Sequence, residues 1–234
     1  MSTVETNVGS VAAVDRAIDI MDAVARDTEP MSLADIARAT GFYKSTVLRL
    51  IASLEKRALI VRRKDGRYVV GPYAHHLGRA YEASHHTIGV LKPILEDLVS
   101  RGTESASFHV YHDKHRRQCL LRVNSRHSTL DHIDVGDLLP LDRGAAGKLI
   151  TAFRDKDLVP DKSNVLAESI GERDPDCAAV AAAVFGVGGE LLGAISLSGP
   201  RERFTPSALE QMKTLCLEAA AQATGILSAR PPQW

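Results

Sequence analysis

Cysteine is scarce in this chain: Cys119, Cys177 and Cys216 are its three, far apart and in no CxxC pair. An odd, scattered set supports neither a disulfide framework nor a thiolate zinc site. Long apolar runs are missing too. The longest, near Ala178–Val187, is about half of the ~20 residues a helix needs to cross a bilayer. The opening MSTVETNVGS has no basic segment followed by an apolar one, so no secretory signal is read there. There is no P-loop, no GxSxG and no HExxH. Gly186-Val187-Gly188-Gly189 leads into a β-prone run rather than a helix, and reads as a hairpin loop. These absences point to a soluble, cytoplasmic, non-membrane protein with no cofactor, no metal and no catalytic role. The 234 residues, 44% apolar and 25% charged, suit one large or two small globular domains.

Net charge is also missing, since 29 basic residues balance 29 acidic ones. That balance hides a local excess. Between Arg38 and Arg67 stand nine basic residues (Arg38, Lys44, Arg49, Lys56, Arg57, Arg62, Arg63, Lys64, Arg67) against Glu55 and Asp65 alone. On a neutral chain this is the footprint of a polyanion-binding surface, although a merely solvated charged face has the same count.

Patterning decides between the two. Val11, Val14, Ile18, Met21 and Val24 or Ala25 fall at helical spacing from Val11 to Ala25, with Asp15, Asp19 and Asp22 facing outward. Ser32 precedes Leu33, Ile36 and Ala37, with Asp35 three residues on, as in a capping box. Gly41 supplies the positive φ that ends this short helix. A third helix from about Tyr43 to Leu54 buries Val47, Leu50, Ile51 and Leu54 and exposes Lys44, Ser45, Arg49 and Ser53. Two β-prone runs, Ala58–Arg63 and Tyr68–Gly71, flank Asp65-Gly66, a strong hairpin signal. Helix, helix, tight turn, helix and hairpin make a winged helix-turn-helix. Its third helix suits the DNA major groove, and the tip Arg63-Lys64-Asp65-Gly66-Arg67 suits a phosphate backbone.

Several blocks, in this order, resemble the isocitrate lyase regulator (IclR) family of transcriptional regulators: Val14-Asp15-Arg16-Ala17-Ile18, Ser32–Ala37, Gly41 through Lys44-Ser45-Thr46-Val47 to Arg49-Leu50, Asp65–Tyr68 and Gly71-Pro72. The resemblance continues at Leu139-Pro140-Leu141 with Gly147-Lys148, at Ala179–Val184 and at Ser196–Pro200, so that it runs from about Val11 to Leu227. One departure is Tyr43, where the family often opens its recognition helix with proline. The tyrosine ring and hydroxyl are available for the backbone or a base.

The second half alternates differently. Tyr73–Ser84 reads as a connector helix, with His75, His76, His85 and His86 on or beside it, and Ile88–Val99 as an amphipathic helix. Strands are expected at Ser105–Tyr111, Gln118–Val123 and Leu130–Val135, and a helix at Gly144–Phe153. A buried hairpin, Ala178–Phe185 with Leu191–Ser198, and a closing helix from Pro206 to about Leu227 complete an α+β domain with an antiparallel sheet. The expected division is a DNA-binding domain over residues 9–72, the connector over 73–84 and an effector-binding and oligomerisation domain over 85–230. The resemblance implies that this last domain is GAF/PAS-like and binds a small metabolite, often an organic or aromatic acid.

Carried over by motif, the implied pocket residues are Ala145, Ala146, Glu172, Cys177, Ala179, Ser196 and Ser198. Small residues at a helix N-terminus leave backbone N–H groups open to an anion, and serines at i and i+2 share one face of a strand. The same residues also suit plain helix–sheet packing. The family carries roughly twenty more residues before the strand that precedes the Ala-rich block. Here only Arg154–Asn164 intervenes, which implies a more open pocket or a different ligand. Ala183 and Asp176 also stand where the family commonly has Pro and Gly.

Competing readings are weaker. His109, His112 and His115 lack metal-ligand spacing and read as surface or loop histidines, which leaves a metal or redox sensor little support. Cys119, a lone strand cysteine, reads as a small buried hydrophobe rather than a nucleophile. The expected DNA contacts are Tyr43, Lys44, Ser45, Thr46 and Arg49 from the recognition helix and Arg63, Lys64 and Arg67 from the wing. A single winged helix covers one half-site. A homodimer on a palindromic operator is therefore expected, and the resemblance extends this to a possible homotetramer.

Overall fold

The computed structural model describes residues 11–26, 29–126, 131–155 and 158–229. The chain divides into two compact units, Met1–Ser84 and His85–Trp234.

The first unit contains α1 (Ala12–Arg26), α2 (Leu33–Thr40), α3 (Lys44–Glu55), β1 (Ile60–Arg62), β2 (Tyr68–Val70) and α4 (Pro72–Ser84). Ser32 caps α2 as expected: the Asp35 amide donates to Ser32 Oγ at 3.2 Å, and the Ser32 amide donates back to the Asp35 carboxylate at 3.2 Å. Gly41 closes that helix at φ +72°, a conformation only glycine adopts without strain. β1 and β2 pair antiparallel from Ile60↔Val70 to Arg62↔Tyr68, and Met31 bridges to Tyr68. Ile20, Val24, Ile36, Val47, Ile51, Leu54, Ile60 and Tyr68 form the core under the helices and the hairpin.

The face of α1 is a correction. The expected inward stripe included Val11, Val14 and Ile18, but all three are exposed, while Ile20 and Val24 are buried and Ala17 and Met21 pack partly against them. The helix has two apolar faces, and periodicity alone did not tell which one the core would take.

The second unit runs α5 (His86–Ser100), β3 (Ser105–Tyr111), β4 (Arg116–Asn124), β5 (Leu138–Pro140), α6 (Ala145–Phe153), β6 (Leu166–Ile170), β7 (Cys177–Phe185), β8 (Leu191–Pro200) and α7 (Pro206–Ser228). The strands form one antiparallel sheet in the order β5-β4-β3-β8-β7-β6. Strand β6, the strand that precedes the Ala-rich block, supplies one edge. The expected strand Leu130–Val135 is not found. Leu130 lies outside the described residues, and from Asp131 the chain forms a turn instead, with the Asp134 amide donating to Asp137 Oδ2 at 2.7 Å and Gly136 at φ +99°. The third strand comes later, as β5.

Strand alternation assigns the two faces. Ala106 and Phe108, Ala178, Val180, Ala182 and Val184, and Ile195 and Leu197 point to the side covered by α5 and α7. Ala181, Ala183, Phe185 and Ala194 point to the other side, where α6 packs with Leu149, Ile150 and Phe153. Alanine on the strands lets α6 lie close. Beyond the reach of α6 the same face turns polar, with Ser105, Ser107 and His109 of β3 and Ser196 and Ser198 of β8, all buried.

Candidate nucleic-acid interface and effector pocket

On the first unit, the expected DNA-facing residues occupy two exposed places. Tyr43 is 85% exposed and stands as the N-cap of α3 without a side-chain cap bond. Lys44, Ser45 and Arg49 are exposed on α3, and Thr46 is half-buried. Leu48, exposed on the same helix, adds an apolar group that the sequence reading did not single out. In the wing, Arg63 and Lys64 are exposed, and the turn closes through the Arg63 amide to the Arg67 carbonyl at 2.7 Å. Arg67 is also exposed, but its Nη1 donates to the Pro30 carbonyl at 3.3 Å, which ties the tip back to the loop before α2.

On the second unit, six of the seven residues implied by motif (Ala145, Ala146, Cys177, Ala179, Ser196 and Ser198) line one cavity between α6 and the polar part of the sheet. Glu172 does not line it. Its carboxylate accepts from the Gly144 amide at 3.3 Å and pairs with Lys148 Nζ, so it closes the α6 N-terminus from outside. The Lys148 ammonium beside it, helped by that amide, holds Glu172 below the usual carboxylate range. The cavity is small, about 30 Å³. The short segment after α6 has therefore not produced a wide pocket.

The cavity's other walls are largely polar. His109, expected at the surface or in a loop, is buried and lines the cavity, with Nε2 2.9 Å from Ser107 Oγ. Burial, and after it the guanidiniums of Arg117, Arg122 and Arg173, hold its imidazole well below the usual range, so it is neutral. Arg117, Asp131, Ser169, Arg173 and Asp174 complete the polar lining. Behind the wall, Arg122 Nη2 pairs with Asp131 at side-chain exposures of 2% and 0%. Asp131 also accepts from Ser198 Oγ at 2.8 Å and lies 3.7 Å from Arg173 Nη2. Removing one partner of so buried a pair costs about 3–5 kcal/mol, because the other charge is left uncompensated.

Arg117 makes the contact to α6. Its Nη1 donates to the carbonyls of Pro140 and of Arg143, the latter at 3.0 Å. A Cβ added at Gly144 would stand 3.2 Å from Arg117 Nη2, and one at Gly147 3.1 Å from Nη1, so the two glycines make room for the guanidinium. Burial, then repulsion from Arg173, pulls Arg117 down to about 10. It therefore stays charged at neutral pH, beside the positive end of a helix. Three buried polar atoms of this cluster, His109 Nδ1, Arg117 Nε and Arg122 Nη1, have no hydrogen-bond partner among the described residues. Cys119 is buried, and burial pushes its thiol up to about 12, which suits a packing residue and not a nucleophile.

A bulge in β4 sets which face the arginines take. His109 pairs with Cys119, but Phe108 pairs with Leu121, so β4 carries one extra residue there. Strict alternation sends Arg117 and Arg122, five apart, to opposite faces; the bulge brings them to one. The sequence carries no turn or glycine signal for it.

A basic winged helix on the same chain as a helix-flanked sheet with a cationic cavity is the build of a DNA-binding transcription regulator with a separate regulatory domain. Comparison with known proteins agrees. The IclR helix-turn-helix domain matches residues 13–64, and the bacterial transcriptional regulator IclR C-terminal domain matches residues 156–224. The transcriptional repressor IclR of Escherichia coli is 20% identical over 92% of this chain and 90% of its own length. The HTH-type transcriptional regulator BhcR of Paracoccus denitrificans is 27% identical over 92% and 86%. A crystal structure of an IclR homolog complexed with 4-hydroxybenzoate, from Microbacterium hydrocarbonoxydans, superposes with a TM-score of 0.75 at 17% identity, covering 93% of this chain and 99% of that one. The chain belongs to the IclR family of transcriptional regulators. Among the described residues, no helix is long and apolar enough to cross a membrane.

Proposed function

We propose that this regulator binds a palindromic operator as a homodimer and responds to a small organic acid held in the α6–sheet cavity. In this reading Tyr43, Lys44, Ser45, Thr46 and Arg49 enter or rim the major groove, and Arg63, Lys64 and Arg67 grip the adjacent backbone. The observation that carries it is the exposure of one basic, hydroxyl-bearing face of α3 together with a basic hairpin tip. Pairing of two copies is supported by large apolar side chains exposed on the same unit: Val11 just before α1 with Val14 and Ile18 on it, and Tyr73, Leu77 and Tyr81 on α4. The acid reading is supported by the buried, unpartnered Arg117 Nε and His109 Nδ1 of the side chains lining the cavity and by the 4-hydroxybenzoate held by a family member. The acid acts by binding one arrangement of the protein more tightly than another, since only differential affinity shifts an equilibrium.

The test is fluorescence anisotropy on duplex DNA from the region upstream of the protein's own gene, against a scrambled duplex, with salt titrated. Preferential, salt-sensitive binding is expected. Arg63→Ala and Lys64→Ala should each weaken binding to both duplexes and lower the log–log salt slope by about 0.9, one lost phosphate contact apiece. An unchanged slope in both variants takes these side chains off the backbone.

A further inference from the structure

We infer that the cavity of the second unit takes the carboxylate of a short aliphatic acid, read by Arg173, Arg117 and His109, and that it refuses aromatic acids. This deepens the organic-acid reading above and rests on it. Two observations carry it, one electrostatic and one of size.

The electrostatic one is an unbalanced cluster. Arg117 is buried, the Arg122 side chain is 2% exposed and that of half-buried Arg173 21%, against one fully buried carboxylate, Asp131. Asp174 is only half-buried, and its carboxylate accepts from the Asp176 amide at 3.0 Å, which commits it to its own loop. Counting both acids, the site keeps one positive charge in excess, next to the N-terminus of α6. Two of the unpartnered buried atoms belong to side chains that line the cavity: Arg117 Nε, a donor, and His109 Nδ1, a donor in the tautomer that carries its proton there. Leaving such groups unpaired in the interior is costly. One carboxylate supplies the missing charge and, with about four lone-pair sites on two oxygens, enough acceptors for all of them.

The size observation concerns what hangs on that carboxylate. Besides His109 and the charged groups, the walls are Gly144, serines, alanines, a cysteine and Ile133, with no phenylalanine, tyrosine or tryptophan among them. The cavity measures about 30 Å³, whereas an apolar cavity that admits a benzene ring is about 150 Å³. Opening that much space means moving α6 off a sheet it meets through Ala181, Ala183 and Ala194. A two- or three-carbon chain asks for far less.

The experiment is thermal unfolding of the full chain at fixed ionic strength, with acetate, propionate and lactate as one set of probes and benzoate and 4-hydroxybenzoate as the other. The short acids should raise Tm by roughly 5–10 °C at about a hundred times their Kd, and the aromatic acids should not. Arg173→Gln, whose partner Asp131 keeps Arg122, should fold and should weaken the short acids' effect at least tenfold in concentration. Arg117→Gln is the second variant, with circular dichroism checking that it folds. Stabilisation by the aromatic acids equal to that by the short ones, or an Arg173→Gln protein that responds unchanged, overturns this inference and leaves the organic-acid reading intact. No response to any of the five acids overturns both.

Discussion

His109 shows how far one side chain's fate depends on its neighbours. Its ring is buried beside Ser107 and faces the guanidiniums of Arg117, Arg122 and Arg173, so the native protein keeps it neutral while the unfolded chain protonates it near the ordinary value of 6.5. Below that pH the unfolded state binds the extra proton, and native stability falls as pH falls. Above it both states are neutral and the residue contributes no slope. In the absence of added acids, unfolding free energy should therefore decline from about pH 6.5 downward, with His109 responsible for up to ~1.4 kcal/mol per pH unit. His109→Gln should flatten that decline between about pH 6.5 and 5, as read from urea denaturation at several pH values. Equal slopes for the two proteins would mean that the native site accommodates the imidazolium. Nothing in the local sequence announced this residue. It alternates inward from a strand whose partner is bulged, and the cations that surround it come from two separate segments, β4 and the loop between β6 and β7.

At the scale of elements, legibility followed the locality of the signal. The capping box at Ser32 and Asp35, the Gly41 stop and the Asp65-Gly66 hairpin depend on residues a few positions apart, and all are found where expected. The β7–β8 hairpin was legible because its apolar runs are long and its loop holds three glycines. What failed were choices that the rest of the chain makes: which face of α1 turns inward, and whether the segment after Asn124 pairs at once or loops first. Gly71, between β2 and α4, carries an element-level consequence. A Cβ there would overlap the carbonyl of Ala58, which also accepts the Tyr73 amide at 3.1 Å where the wing passes into α4. Backbone cannot retreat as a flexible side chain does. Gly71→Ala should cost the first unit about 3 kcal/mol or more and lower its unfolding temperature, while exchange protection in the β3–β8 sheet stays unchanged. Hydrogen exchange followed segment by segment separates these outcomes. A wild-type protection pattern across β1 and β2 would show that the junction relaxes freely.

For the whole molecule, the question is what two apolar stripes are doing on a unit that already has a core. Val11, just before α1, and Val14 and Ile18 on it recur at i, i+3 and i+7, and Tyr73, Leu77 and Tyr81 at i, i+4 and i+8 along α4; each is at least 39% exposed. A helix presents such a stripe to a partner, and burying three large side chains contributes several kcal/mol at ~25 cal/mol per Å². Closed two-fold pairing through these stripes also meets a requirement of recognition: one basic winged helix supplies few phosphate contacts, whereas two on a palindrome bind with an effective concentration set by their connection. Ile18→Glu places a charge in the α1 stripe without touching Ile20 or Val24, which hold the core. The variant should fold, run as a smaller species in light scattering after gel filtration, and lose affinity for a full palindrome by at least tenfold. Its binding to an isolated half-site should stay close to wild type. If the variant keeps the wild-type mass and full operator affinity, the α1 stripe is not the dimer contact, and the α4 stripe, tested by Leu77→Glu, is left to carry the pairing.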